Sequence, residues 1–187
     1  MTNGVYSDFE IDKMSAKFGT QETAKAMNCV GSVEESLTAK VITKKCRGVV
    51  IKNTVKGTGE GTLKISAHVP YDVFNEAFGM ELETLKEGVM AYGSNSRHEE
   101  FCLTMHVIDE DGAEKYKAYP RCICATRPTI KVENGAEEVA EIEMEINVMP
   151  DTYGNGMYEA LAEGLSEDIA TAWMDNFTSA LVQVATV

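Results

Sequence analysis

The chain has 187 residues, 44% of them hydrophobic and 25% charged, enough apolar material to bury a core without disulfides or a structural metal. Its formal net charge is −13 and its pI about 4.7, which argues against nucleic-acid binding by charge neutralisation, because a phosphate backbone needs Lys and Arg opposite it. Such a surface still suits a protein past which DNA must slide without sticking.

The opening Met1-Thr2-Asn3-Gly4-Val5 lacks the basic and apolar regions of a secretory leader. No apolar run approaches the roughly 20 residues that span a bilayer. A cytoplasmic product with no membrane partner is expected. Five cysteines (Cys29, Cys46, Cys102, Cys122, Cys124) form no zinc pattern. Cys122 and Cys124 are two apart, on one face if the segment is a strand, and buried free thiols are expected.

Residues 1–32 are weakly periodic and read as a poorly packed N-terminal arm, in which residues 8–18 fit either a short helix or an extended segment. Period-two alternation begins at Leu37: Leu37, Ala39, Val41 and Thr43 alternate with Thr38, Lys40, Ile42 and Lys44, and the pattern resumes over residues 49–56 and 62–69. Gly57-Thr58-Gly59-Glu60-Gly61 reads as the glycine-rich turn of a long hairpin. Pro70 suits a first helical turn, Tyr71, Phe74 and Phe78 fall on one face beside Val73 and Ala77, and Gly79 marks the helix end. Residues 80–98 read as a long loop or a weaker hairpin.

A strand pattern returns at Phe101, Leu103, Met105 and Val107. Asp109-Glu110-Asp111-Gly112 turns the chain into a second strand, residues 116–125, in which Pro120 predicts a bulge or an edge. A short strand over residues 129–133 and a turn at Asn134-Gly135 follow. In the cleanest strand, Ala140, Ile142, Met144, Ile146 and Val148 share one face, and Glu141, Glu143, Glu145 and Asn147 share the other. After the Gly154-Asn155-Gly156 loop, Ser166 is a candidate N-cap for a helix carrying Ile169, Ala170 and Trp173. Residues 180–187 read as a last strand. The fold expected is mostly β: a β-sandwich or β-barrel over residues 33–187 with a flanking short helix, a long hairpin loop and the N-terminal arm.

Charge is segregated along the chain. Residues 37–68 hold seven basic side chains (Lys40, Lys44, Lys45, Arg47, Lys52, Lys56, Lys64) and one acid, Glu60, a local charge of +6, so the remainder carries −19. From Val132 onward there are twelve acids and no Lys or Arg. Such runs can be two solvated faces of one molecule. They can also be complementary faces of neighbouring copies packed head to tail, which yields a ring or a filament. The candidate contacts between copies are Lys40, Lys44, Lys52, Lys56 and Lys64 against Glu141, Glu143 and Glu145. Like charges spaced along one strand repel, so that ladder belongs against water or a row of lysines and not in a dry core.

Nothing in the sequence demands catalysis. His68, His98 and His106 have no ligand spacing, and His98 reads as a surface partner of Glu99 or Glu100. There is no nucleophile elbow, zincin motif or P-loop, and the glycines at 57–61 do not open a helix. The adjacent acid pairs Glu34-Glu35, Glu99-Glu100 and Glu137-Glu138 point to opposite faces on a strand, which is poor geometry for acid–base work. Asp109, Asp111 and Gly112 echo only a fragment of a calcium loop. No catalytic residue, cofactor or metal is assigned.

Three segments together resemble the major tail (tail tube) proteins of long-tailed bacteriophages, in particular those of Gram-positive hosts. They are residues 61–79, a strand entering a short helix that ends Phe78-Gly79; residues 99–127, a strand pair leading to Tyr119-Pro120-Arg121; and residues 130–175, a Lys-Val-Glu-Asn-Gly turn, an alternating strand ending Pro150-Asp151, and Ala172-Trp173-Met174. The resemblance, over about residues 33–175, implies a non-enzymatic virion protein. It implies hexameric rings with a continuous inner β-barrel, stacked by loops and arms into a tube with an acidic lumen that conducts DNA at ejection. The implied partners are further copies, a tape-measure protein and tail terminator proteins, with the host cytoplasm as the place of assembly. The alternative is a monomeric β-barrel ligand-binding module with an apolar pocket, against which the single Trp and few aromatics speak.

Overall fold

A computed structural model describes residues 6–19, 21–27, 29–135 and 138–184. One antiparallel sheet contains β1 (Glu10–Phe18), β2 (Lys25–Ala26), β3 (Cys29–Cys46), β4 (Val49–His68), β5 (Phe101–Ile108), β6 (Glu114–Cys124), β7 (Ile142–Val148) and β8 (Tyr158–Leu161). Neighbours run β2-β1-β5-β6-β7-β4-β3, and β8 pairs with β6 off this path. β1 and β4 lie far apart in this order, yet Met14 and Phe18 of one share a core with Leu63 and Ile65 of the other. The sheet therefore curls around its own apolar face, where the sandwich alternative required two sheets.

Helix α1 (Tyr71–Ala77) plugs the concave side through Val73, Phe74, Ala77 and Phe78, while Tyr71, expected on that face, is exposed. The chain leaves α1 through Gly79, at φ +56°, where a Cβ would lie 1.9 Å from the Arg97 carbonyl oxygen, so only glycine fits. Helix α2 (Glu167–Asn176) covers the other side of the sheet. Its N-cap is Ser166, whose hydroxyl accepts from the Ile169 amide, and it seats Trp173 and Phe177 against Ala118 and Tyr116 of β6.

The β5–β6 hairpin forms as the sequence predicts. Asp109 accepts from the Asp111 and Ala113 amides, and Gly112 supplies φ +83°. Pro120 sits in a bulge opposite Cys102, since Phe101 pairs with Cys122 and Leu103 with Tyr119. At this bulge β6 changes its second neighbour, from β8 over Lys115–Ala118 to β7 over Cys122–Cys124.

Several expectations need correction. Within the expected arm, residues 10–18 are a core strand with Met14, Ala16 and Phe18 buried. A register shift between Ile11 and Lys13 breaks the alternation that would have announced it. The glycines at 57–61 are not the hairpin turn. The turn is Arg47-Gly48, with φ 49° and 81°, the left-handed pair of a tight two-residue hairpin. Residues 129–133 form no strand, β8 was not expected, and residues 180–182 of the expected last strand belong to the 3₁₀ turn Ser179–Val182. Residues 1–5 of the arm, Glu137 and residues 185–187 lie outside the described residues.

Candidate assembly interface

β3 and β4 outrun the sheet. β4 pairs with β7 only from Gly61 to Ala67, whereas its pairing with β3 continues to Cys46 and Val49 at the tip. Residues 38–57 therefore project as a two-stranded ribbon of roughly 30 Å, exposed on both faces. A bulge marks its base: Leu37 pairs with Gly61 and Ala39 with Gly57, so Thr38 opposes three residues. The Thr38 and Thr58 hydroxyls bond each other there, and Thr38 also donates to the Glu60 carbonyl at 3.0 Å. Gly59 and Gly156 cross with their backbones in contact. A Cβ on Gly156 would lie 2.0 Å from the Gly59 oxygen, and one on Gly59 2.8 Å from the Gly154 oxygen. The glycine-rich string thus seats the loop after β7 against the root of the ribbon.

Residues opposed across a pair share a face, and faces alternate along a strand. Lys40 opposes Lys56, Ile42 opposes Thr54 and Lys44 opposes Lys52, which places four of the candidate lysines on one face. The other face carries Val41 opposite Val55, Thr43 opposite Asn53, and Lys45 opposite Val50, with Ile51 at a further irregularity. Val41 is 59% exposed, Ile51 56% and Val55 66%. The ribbon is amphipathic, with one face cationic and one largely aliphatic. Among the described residues no carboxylate lies within 4.0 Å of Lys40, Lys44, Lys52 or Lys56. The aliphatic set escaped the sequence reading because alternation cannot distinguish a half-buried strand from one bare on both sides.

The fifth lysine is placed elsewhere. Lys64 lies on the body, opposite Glu34 of β3 and Glu145 of β7. Glu143 opposes Ser66, and Glu141 accepts from the Ser66 hydroxyl at 2.6 Å. The three candidate acids thus line the convex side of β7 and β4, around Lys64, and away from the ribbon of their own chain.

The remaining polar groups brace the fold. Tyr119, wholly buried, donates its hydroxyl to Glu35 on the edge strand β3; burial and then that carboxylate raise the phenol far above its usual range. Burial alone would raise the Asp8 pKa, but hydrogen bonds from Lys117 (2.5 Å) and Lys115 (2.9 Å) outweigh it and hold the carboxyl below its usual value. His98 does not pair with Glu99 or Glu100. It is anchored between the Cys124 carbonyl (2.7 Å) and the Tyr92 hydroxyl (3.0 Å), while Glu100 holds Arg121 through two nitrogens. His106 lies between Asp12 (2.9 Å) and Glu114 (3.2 Å). Cys122 and Cys124 are buried, and burial raises both thiols, Cys124 to about 12. Cys29 and Cys46 are exposed, against the expectation of buried thiols throughout. Between the sheet and α1 the interior space is only about 10 Å³ and apolar, room for one water at most and for no larger ligand. No helix of the described residues is long and apolar enough to cross a membrane.

No protein-family model matches the sequence, and no curated relative does. Solved structures are similar in chain path at low identity. A sheath–tube complex of an extracellular contractile injection system, PVC in its extended state, is 8% identical with a TM-score of 0.46, covering 81% of this chain and 90% of that one. The tube-terminating cap of the anti-feeding prophage is 8% identical at 0.45, covering 86% and 97%. The baseplate of the same particle is 9% identical at 0.42, covering 86% and 97%. At these values the functional reading stands on the residues of this chain.

Proposed function

We propose that the chain is a non-enzymatic, self-assembling structural subunit of a phage-type tail tube, forming rings, hexameric by the family resemblance, that stack into a conduit for DNA. One observation carries the reading. The ribbon of residues 38–57 exposes aliphatic side chains on one face and stacks lysine opposite lysine on the other. Lysine on an edge keeps it soluble, but solubility does not call for bare Val41, Val55 and Ile51 behind it. A two-stranded ribbon is marginal alone in water, and its faces are completed by a second surface. Among the described residues β3 also leaves its outer edge unpaired, a template for a neighbour's strand. The net charge of −13 suits a lumen that repels phosphate.

A monomeric ligand-binding module fits less well, because the concave side is filled by α1 and the core. Negative-stain microscopy and scattering over a concentration series test the proposal. Rings or tubes form with wild-type protein and shrink as salt rises. Replacing Lys40, Lys44, Lys52 and Lys56 by Glu leaves a folded chain that does not assemble. A wild-type protein that stays a compact monomer at every concentration and salt sinks the reading.

A further inference from the structure

The convex side of β7 and β4 is one wall of an open groove whose other wall is formed by residues 126–135 and 138–140. Two contiguous spaces, about 690 and 1030 Å³, share Ser66, Lys131, Glu141 and Glu143. Six carboxylates line them among the described residues (Glu34, Glu133, Glu138, Glu141, Glu143, Glu145), against the cations Lys64, Arg127 and Lys131 and the imidazole His68. One cation is already engaged, Lys131 pairing with Glu133 at 2.7 Å. Along the far wall stand bare aliphatic groups: Val132 is 87% exposed and Val139 82%. The sheet wall is predominantly acidic, and the loop wall mixes the charged Arg127, Lys131, Glu133 and Glu138 with the exposed Val132 and Val139.

The acidic sheet wall complements the lysine face of the ribbon. We propose that the groove is the docking site for the ribbon of a second copy, the lysine face lying on Glu141, Glu143 and Glu145 and the aliphatic face on Val132 and Val139. The inference rests on the self-assembly reading and names the surface that receives the ribbon. Its geometry admits only a contact between copies. The ribbon tip precedes Val49 and the groove begins at Lys64, toward the opposite end of β4, up to roughly 50 Å apart, so no ribbon tip reaches the groove of its own chain. Each copy donates a ribbon to one neighbour and receives one from another, a heterologous contact that closes into a ring or propagates as a filament. Paired charges on the sheet wall fix which face of the ribbon turns inward, and contact with Val132 and Val139 removes the exposed valines from water.

Charge exchange in mixtures tests this. One variant carries Lys40→Glu, Lys44→Glu, Lys52→Glu and Lys56→Glu; the other carries Glu141→Lys, Glu143→Lys and Glu145→Lys. All are surface changes, and circular dichroism with thermal melts verifies folding. Each variant alone presents like charges on ribbon and groove and loses assembly. In an equimolar mixture each ribbon meets a groove of opposite sign, so alternating copolymers form and particle size returns to that of wild type. Wild-type assembly that survives groove reversal, or a mixture that stays dissociated, overturns the groove and leaves the ribbon's role standing. A wild type that never assembles overturns the self-assembly reading itself. Carbodiimide cross-linking of mixed isotope-labelled wild-type chains is the second measurement. Inter-chain links from Lys44 or Lys52 to Glu141 or Glu143 are expected, and their absence among abundant other links contradicts the docking.

Discussion

Lys44 and Lys52 face each other directly across the β3–β4 ribbon, with no carboxylate of the described chain within ion-pair distance of either. Like charges opposed on a pair of strands cost stability, and an opposed pair of unlike charges gains about 0.2–1 kcal/mol over a neutral one. The single substitution Lys52→Glu is therefore expected to move two quantities in opposite directions. The ribbon of the isolated chain becomes better protected from hydrogen exchange, while assembly weakens. If both fall together, the lysines serve the ribbon's own fold rather than its neighbour.

The Tyr119–Glu35 hydrogen bond ties the edge strand β3 to the middle of the sheet. Tyr119→Phe keeps the ring in the core and removes one bond to a charged acceptor, at a cost of about 1.5–3 kcal/mol. Urea denaturation should show a lower midpoint with an unchanged slope. An unchanged midpoint would mean that water replaces the hydroxyl without loss.

The glycines at the root of the ribbon are not equivalent. Gly156→Ala would force a Cβ to within 2.0 Å of the Gly59 oxygen, whereas nothing lies within 4 Å of a Cβ on Gly57. Gly156→Ala is expected to destabilise by roughly 1–3 kcal/mol through backbone displacement. Gly57→Ala should be neutral or stabilising by up to about 1 kcal/mol. Thermal melts of the two variants discriminate, and equal melting temperatures would contradict the close crossing.

Asp8 clamps the segment before β1 onto Lys115 and Lys117 of β6. Its carboxyl is held below its usual value in the folded chain. Its contribution is therefore fully present above the unfolded value of about 3.9 and lost as pH falls through the lower folded one. Asp8→Asn should flatten the acid limb of the stability–pH curve below about pH 4 and speed amide exchange near Phe9. Overlapping curves would show that the clamp contributes nothing.

The strands with unbroken alternation were legible in the sequence. β7 shows its acidic and apolar faces residue by residue, and the Asp-Gly turn and Pro120 announce the β5–β6 hairpin and its bulge. β1 was not legible, because its irregularity and three consecutive buried residues, Met14, Ser15 and Ala16, blur the period of two. The string at 57–61 imitates a turn, since glycine marks both turns and close backbone crossings, and only the fold shows that it meets Gly154 and Gly156. Of the candidate contacts, the grouping of four lysines on one face follows from strand parity once the turn is placed at Arg47-Gly48. The placing of Lys64 among acids on the body depends on pairing with β7, a long-range fact that no local pattern carries.

The most direct test is amide hydrogen exchange of residues 38–57 followed from dilute monomer to assembled protein. The account predicts fast exchange in the monomer and strong protection on assembly, with β5, already paired on both sides by β1 and β6, nearly unchanged. Particles that grow while the ribbon amides exchange as fast as before would show that the copies join through some other surface.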